Sequence, residues 1–154
     1  MVLSIISVGS KLTSWESSGI DYYSKQFPKN TSLKFIEIKG QQHPKRSNEE
    51  VLKIESEMIL SKIPSDHFIV SWDSKGELLD SIKFSEFFSE SMLNNLKICF
   101  VIGGSFGLSK SITDRSDKVF SASYFTFPHR LFRIILIEQI YRAFSIINNA
   151  PYHK

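Results

Sequence analysis

Apolar and polar positions alternate along this chain between two periods. "VLSIISVG" is short, β-branched and closed by Gly9, which predicts a buried strand. "SWESSGIDYYSKQF" predicts a helix closed by Pro28, and "SLKFIEIKG" a second strand through Leu33, Phe35, Ile36 and Ile38. The polar stretch "GQQHPKRSN" is a loop. The next helix opens with capping residues, Ser47 or Asn48 ahead of Glu50, and carries Val51, Ile54, Met58 and Ile59 at helical spacing. "HFIVSWDSKG" predicts a strand running into a turn. "SIKFSEFFSESMLNNL" predicts a helix with Phe84, Phe87, Phe88 and Met92 as its core stripe. "KICFVIGG" is a continuous apolar strand that stops on two glycines. "LSKSITDRSD" predicts a short helix with Ser109 as cap, "KVFSAS" a short strand, and "FTFPHR" leads into one long last helix.

Strand–helix alternation of this kind predicts a single α/β domain over 1–154 with a mostly parallel sheet, because parallel strands need crossovers. Ligands in such sheets sit at the carboxyl ends of the strands. The turns to inspect are therefore "SWDSKG", "VIGGSFGLS" and "ASYFTFPH".

The last helix departs from the usual pattern. Over residues 130–148 apolar side chains fall on nearly every side, and only Glu138, Arg142 and Ser145 group as a polar stripe. A helix apolar all round is buried on more than one face. This predicts packing on its own sheet and on a second subunit, a homodimer; a central helix within one monomer is the other reading.

Composition narrows the class. Hydrophobic residues are 42% and charged residues 23%, which excludes a disordered chain. The apolar runs of the last helix are broken by Arg133, Glu138 and Arg142, too early for a membrane span. No basic leader precedes the first strand, and one cysteine, Cys99, sits in a strand as a small buried hydrophobe; the expectation is a cytoplasmic protein. Net charge is +3, and its distribution matters more. Residues 110–154 hold 7 Lys+Arg against 3 Asp+Glu, an excess suited to a polyanion.

The motif search gives few chemical signals. "GGSFG" is neither a GxGxxG fingerprint nor a P-loop, although its glycines admit close backbone approach. The histidines, His43, His67, His129 and His153, form no metal-ligand spacing, so no metal is expected. Asp73 reads as a turn residue bonding its own backbone. Trp72 reads as the wall of an aromatic or adenine pocket or as plain core. Glu138 and Arg142 make an i,i+4 ion pair.

Taken together, "FVIGGSFGLS", "FTFPHRLFRIILIEQIYRAFSI" and the terminal "PYHK" resemble the RlmH family of SPOUT methyltransferases, with "SVGSK" and "IVSWDSKG" in the right order. The resemblance runs from Ser7 to Lys154, and its C-terminal block is the specific part. It implies an S-adenosylmethionine-dependent enzyme that methylates N3 of a pseudouridine in large-subunit (23S) ribosomal RNA, on assembled ribosomes. It also implies helices on both sheet faces, a C-terminal trefoil knot and an obligatory homodimer. Carried over by position, the cofactor contacts fall on Trp72, Gly103, Ala122, Ser123, Tyr124, Phe125, Thr126 and Phe127. His153 is the candidate for handling the proton and Tyr152 for stacking on the flipped base. Arg130, Arg133, Arg142 and Lys154 are candidates for phosphate contacts, unless Arg142 only pairs with Glu138. Relatives commonly carry Leu at Trp72 and Arg at Lys154, where lysine keeps the charge without the bidentate fork. Two rival readings stay open: a non-catalytic RNA- or ribosome-binding protein of the same fold, and a SPOUT methyltransferase acting on tRNA.

Overall fold

The structure, a computed structural model, describes residues 1–153, with side chains to Tyr152. The expectations placed on the imidazole of His153 and on Lys154 lie outside the described residues.

Five strands form one sheet: β1 (Val2–Gly9), β2 (Ser32–Lys39), β3 (Phe68–Leu78), β4 (Ile98–Ile102) and β5 (Lys118–Ser121). Their order is β2-β1-β4-β3-β5, and every pairing is parallel. β1 and β4 are central and covered on both faces, so their residues are apolar or small on both sides. β3 continues past the predicted turn. Its register shifts between Trp72 and Glu77, and Phe120 of β5 pairs with both. The inserted segment, Asp73–Gly76, is a bulge that turns outward at the strand end. Asp73 Oδ1 accepts the Lys75 N–H there at 2.9 Å, the local turn bond expected of it.

Helices lie on both faces. α1 (Ser14–Ser24), α3 (Ser81–Leu93) and α5 (His129–Ile147) cover one, where Ile20, Phe84, Phe88, Leu136, Ile140 and Phe144 pack on Leu3, Ile5, Val70 and Phe100. α2 (Asn48–Leu60) and α4 (Lys110–Arg115) cover the other, with Ile59 and Ile112 against Ile6, Val8, Cys99 and Val101. Cys99 is enclosed, and burial pushes its thiol up to about 12. Both α1 and α2 open with capping boxes, Thr13 with Glu16 and Ser47 with Glu50. Met92 does not join the α3 stripe: it is exposed, and Phe84, Ser85, Phe88 and Ser91 face inward instead.

α5 is buried where it meets α1, α3 and the sheet. Ser145 leaves the predicted polar stripe; it is buried, and its hydroxyl donates to the Ala150 carbonyl at 3.4 Å. Glu138 and Arg142 do pair, at 2.8 Å. One connection decides the shape of the ligand end. β5 lies at the sheet edge beyond β3, yet α5 starts beside β1: His129 Nε2 stands 2.9 Å from where a Cβ on Gly9 would be. Residues 122–128 therefore cross the carboxyl ends of β3 and β4, roughly 14 Å at the usual strand spacing.

Candidate active site

Under that crossing segment lies a cavity of about 610 Å³. Its walls are the bulge after Trp72, the turn after β4 and the segment after β5, the three strand-end turns singled out from the sequence. The β4 turn is closed by Gly107 N–H donating to the Gly104 carbonyl at 3.0 Å, with Gly107 at φ +76°. Gly103 has no room for a side chain, since an added Cβ would stand 2.4 Å from the Gly107 carbonyl oxygen. The backbone therefore forms a cradle that only glycine at 103 permits.

Of the eight residues expected to contact a cofactor, all but Tyr124 line this cavity. Tyr124 is 95% exposed and its ring lies outside the wall. Trp72 is both of the things it was read as. Its ring packs among Phe84, Phe100, Phe120 and Phe132, with the Phe132 centroid at 5.4 Å, and it borders the cavity. Its indole Nε1–H is buried without an acceptor among the described residues. An orphaned donor at a cavity wall fits a site that receives a polar ligand.

The N-terminus of α5 closes one side of the site through a buried ionic cluster. Glu16, on α1, has no solvent exposure. Its Oε1 accepts from Arg133 Nη1 at 3.1 Å, and its Oε2 accepts from Arg130 Nη1 at 3.1 Å and from the Thr13 N–H at 2.9 Å. Burial works to raise the Glu16 pKa, but the Thr13 hydrogen bonds together with Arg133 and Arg130 outweigh it and hold the carboxyl below its usual range. Burial, reinforced by the two guanidinium groups, pushes His129 below the ordinary histidine value, so its ring is neutral near pH 7.

This cluster corrects one expectation. Arg133 is fully enclosed, and it donates from Nε to Ser7 Oγ at 2.8 Å and from Nη1 to the Ser10 carbonyl at 3.1 Å. It cannot reach an RNA phosphate; its charge is spent on Glu16 and on the end of β1. Arg130 remains partly exposed at the site's edge, also bonded to Ser10 Oγ. Arg142 pairs with Glu138 and lies over the Tyr152 ring, 5.0 Å from its centroid.

Tyr152 is not brought to the cavity of its own chain. It does not border that cavity and sits at the far end of α5, a helix of 19 residues and so roughly 28 Å long. Its hydroxyl donates to Glu138 Oε1 at 3.0 Å and its ring packs at a tilt against Tyr141 with centroids 4.6 Å apart. Burial, and hydrogen bonds with Tyr23 and Glu138, push its pKa well above the usual value, so it stays protonated.

The overall fold is shared by solved structures at low sequence identity. A probable methylase family protein of Haemophilus influenzae aligns with 96% of this chain and 66% of its own, at TM-score 0.55 and 13% identity. A putative methylase family protein of Neisseria gonorrhoeae aligns with 90% of this chain and 81% of its own, at TM-score 0.52 and 13% identity. At that identity they establish the fold. The sequence comparisons go further: a family profile described as "Predicted SPOUT methyltransferase" matches residues 1–153. The chain belongs to the SPOUT methyltransferases. Within that family it is similar to proteins named ribosomal RNA large subunit methyltransferase H. Those of Finegoldia magna, Clostridium perfringens and Carboxydothermus hydrogenoformans are 43%, 41% and 40% identical, each over the full length of both chains. This RlmH-type chain is accordingly a methyltransferase.

Sequence reasoning missed two features here. Glu16 and Glu55 are both buried, yet neither was singled out. For Glu55 a signal existed: it lies four residues after Val51 and four before Ile59, within the inward stripe of α2. Among the described residues no group of three or more His, Cys, Asp or Glu side chains is arranged to hold a metal ion, and no helix is long and apolar enough to cross a membrane.

Proposed function

We propose that this protein is a cytoplasmic S-adenosylmethionine-dependent methyltransferase that modifies N3 of a pseudouridine in 23S ribosomal RNA on assembled ribosomes. The observation that carries this reading is the glycine cradle at Gly103, facing the 122–128 segment across a cavity large enough for a cofactor, in a chain 43% identical to a named ribosomal RNA methyltransferase. Cavities of about 300–1,000 Å³ are usual for such ligands. The backbone of 122–127 would supply hydrogen bonds to an adenine, the Gly103–Gly107 turn, which closes tightly because Gly103 has no side chain, would present its main chain to it, and Trp72 would wall the pocket.

When bound, S-adenosylmethionine supplies a methyl group on a sulfonium sulfur, which keeps the electron pair of the broken bond. The chain has two tasks. It must align the acceptor nitrogen, which is worth up to ~7–11 kcal/mol of the barrier. It must also receive the imide proton that N3 sheds, a contribution of about 10²–10⁴-fold. We assign the proton to His153, whose imidazole type titrates near working pH, and stacking on the extruded base to Tyr152. Arg130, Arg142 and Lys154 are assigned to the RNA backbone.

Because Tyr152 lies a helix length from its own cavity, the reading includes a homodimer in which one subunit's tail serves the other's site. Exposed Leu131 and the part-exposed apolar residues of α5 suit such a contact. The crossing of 122–128 over the ends of β3 and β4 supports a knotted C-terminal segment. The test is mass mapping of modified nucleosides in ribosomal and transfer RNA from a deletion strain. Loss of one methylated pseudouridine from 23S RNA is expected. Loss from transfer RNA, or from neither, overturns the assignment.

A further inference from the structure

A second cavity, of about 670 Å³, opens beside the first. It lies between the ends of β1 and β2, the side of α2 and the start of α5, and it shares the wall Gly104, Ser105 and His129 with the donor cavity. Two spaces separated by one wall suit a reaction in which a group passes from one ligand to another.

The floor of this cavity lacks side chains at Gly9, Gly40 and Gly104. Glu55 reaches between them from α2, and it is 4% exposed. Its Oε1 accepts the Gln41 N–H at 2.9 Å. Its Oε2 has no donor among the described residues, and lies 3.1 Å from where a Cβ on Gly104 would stand. The rim is basic: Lys11 and Lys39 are exposed and join no ion pair among the described residues, and Arg130 borders the same space. The other rim carboxylate, Glu37, is exposed and accepts the Leu12 N–H at 3.3 Å.

We propose that this second cavity receives the target base, and that Glu55 Oε2 selects pseudouridine by accepting its N1–H while Lys11 and Lys39 hold the flanking phosphates. The proposal rests on the reading above, that the acceptor is N3 of a pseudouridine. A carboxylate oxygen that faces a cavity without a protein donor is satisfied by water or by a ligand, and a ligand that displaces the water without supplying a donor loses that bond. The N3 proton leaves in the reaction and cannot satisfy it throughout. Uridine has no other ring N–H, because its N1 carries the sugar. Pseudouridine is joined through carbon and keeps N1–H free. A site built to bond a donor rejects the analogue lacking it far more strongly than an apolar pocket rejects a misfit.

The test compares single-turnover methylation of ribosomes carrying pseudouridine or uridine at the target position, for wild type and for Glu55→Gln. Glutamine is isosteric and its oxygen can keep the Gln41 bond, which turns an NH₂ toward the cavity. Wild type is expected to favour pseudouridine by about 10²-fold, the worth of a hydrogen bond to a charged group. In Glu55→Gln the pseudouridine rate falls by about that factor and the uridine rate holds, with melting temperature and S-adenosylmethionine affinity unchanged. Equal losses on both substrates, or no loss on either, overturn the role of Glu55. So does a wild type without preference, which would leave the ribosomal methyltransferase reading standing. A wild type that methylates neither ribosome fails the proposed function itself. As a second measurement, Lys11→Ala with Lys39→Ala weakens ribosome binding and flattens its salt dependence; an unchanged slope removes the phosphates from this rim.

Discussion

Replacing Glu16 by Gln removes one charge and almost no volume, so it isolates what the buried cluster contributes. Arg133 is fully enclosed and its only carboxylate partner among the described residues is Glu16, 3.1 Å away. Its bonds to Ser7 and to the carbonyls of Ser10 and Val8 remain, but none of those groups carries a compensating charge. The glutamine amide would also face a donor from Arg130 or from the Thr13 N–H, whichever its oxygen did not take. Breaking a buried pair by removing one member costs about 3–5 kcal/mol. At roughly 2–4 °C per kcal/mol for a chain of this size, Tm should drop by roughly 6–20 °C. The assay is urea and thermal unfolding at one fixed protein concentration, because a subunit contact would make Tm concentration-dependent. Glu16→Leu combined with Arg133→Met should recover most of the loss, since an apolar pair of similar size does as well as a buried ion pair. The pH dependence has a definite sign. The Glu16 pKa is lowered from 4.5 in the folded protein, so its contribution is complete above that value and is lost as pH falls from 4.5 through the folded pKa. The wild-type and Glu16→Gln stability curves should therefore converge in acid. A loss under about 1 kcal/mol at neutral pH, or a difference that persists undiminished in acid, would refute the reasoning.

Three further outcomes are expected. Gly103→Val drives a side chain into the Gly107 backbone and abolishes donor binding in calorimetry; wild-type affinity would show that the cradle is elsewhere. Deleting residues 151–154 cuts methylation at least tenfold with Tm nearly unchanged, and His153→Ala does the same with donor affinity intact; a normal single-turnover rate in either variant takes the tail out of the chemistry. Light scattering at micromolar concentration gives a dimer mass, and a monomer mass would contradict the shared site.

The elements of this fold were legible because their signals are local. Capping residues, two hydrophobic periods and glycine stops mark the five strands and the helices between them. The same locality explains the misreadings. Arg133 reads as a phosphate ligand from sequence because its partner, Glu16, is 117 residues away and no periodicity links them. Ser145 was placed on a polar stripe because its acceptor, the Ala150 carbonyl, lies beyond the helix end. Met92 fits the spacing of Phe84 and Phe88, but Ser91 takes the inward position on the last turn of α3 and Met92 faces out. The donor cavity was findable from its three strand-end turns. The second cavity was harder to find, because its floor is backbone; the inward spacing of Glu55 between Val51 and Ile59 on α2 was the one signal it left.

The late position of α5 has a consequence for how the chain is made. Its side chains complete the core over Leu3, Ile5 and Phe100, and Arg133 seats against residues near the start of the chain. During synthesis that face of the sheet leaves the ribosomal tunnel covered only by α1 and α3, and the strip beneath α5 stays bare until the last helix has been translated. Strand pairings so distant in sequence form slowly, and exposed intermediates of this kind aggregate. A nascent chain stalled after Pro128 should bind a hydrophobic dye or a holdase chaperone, and the released full-length chain should not. The methyltransferase therefore closes its core only when its last helix is clear of the tunnel.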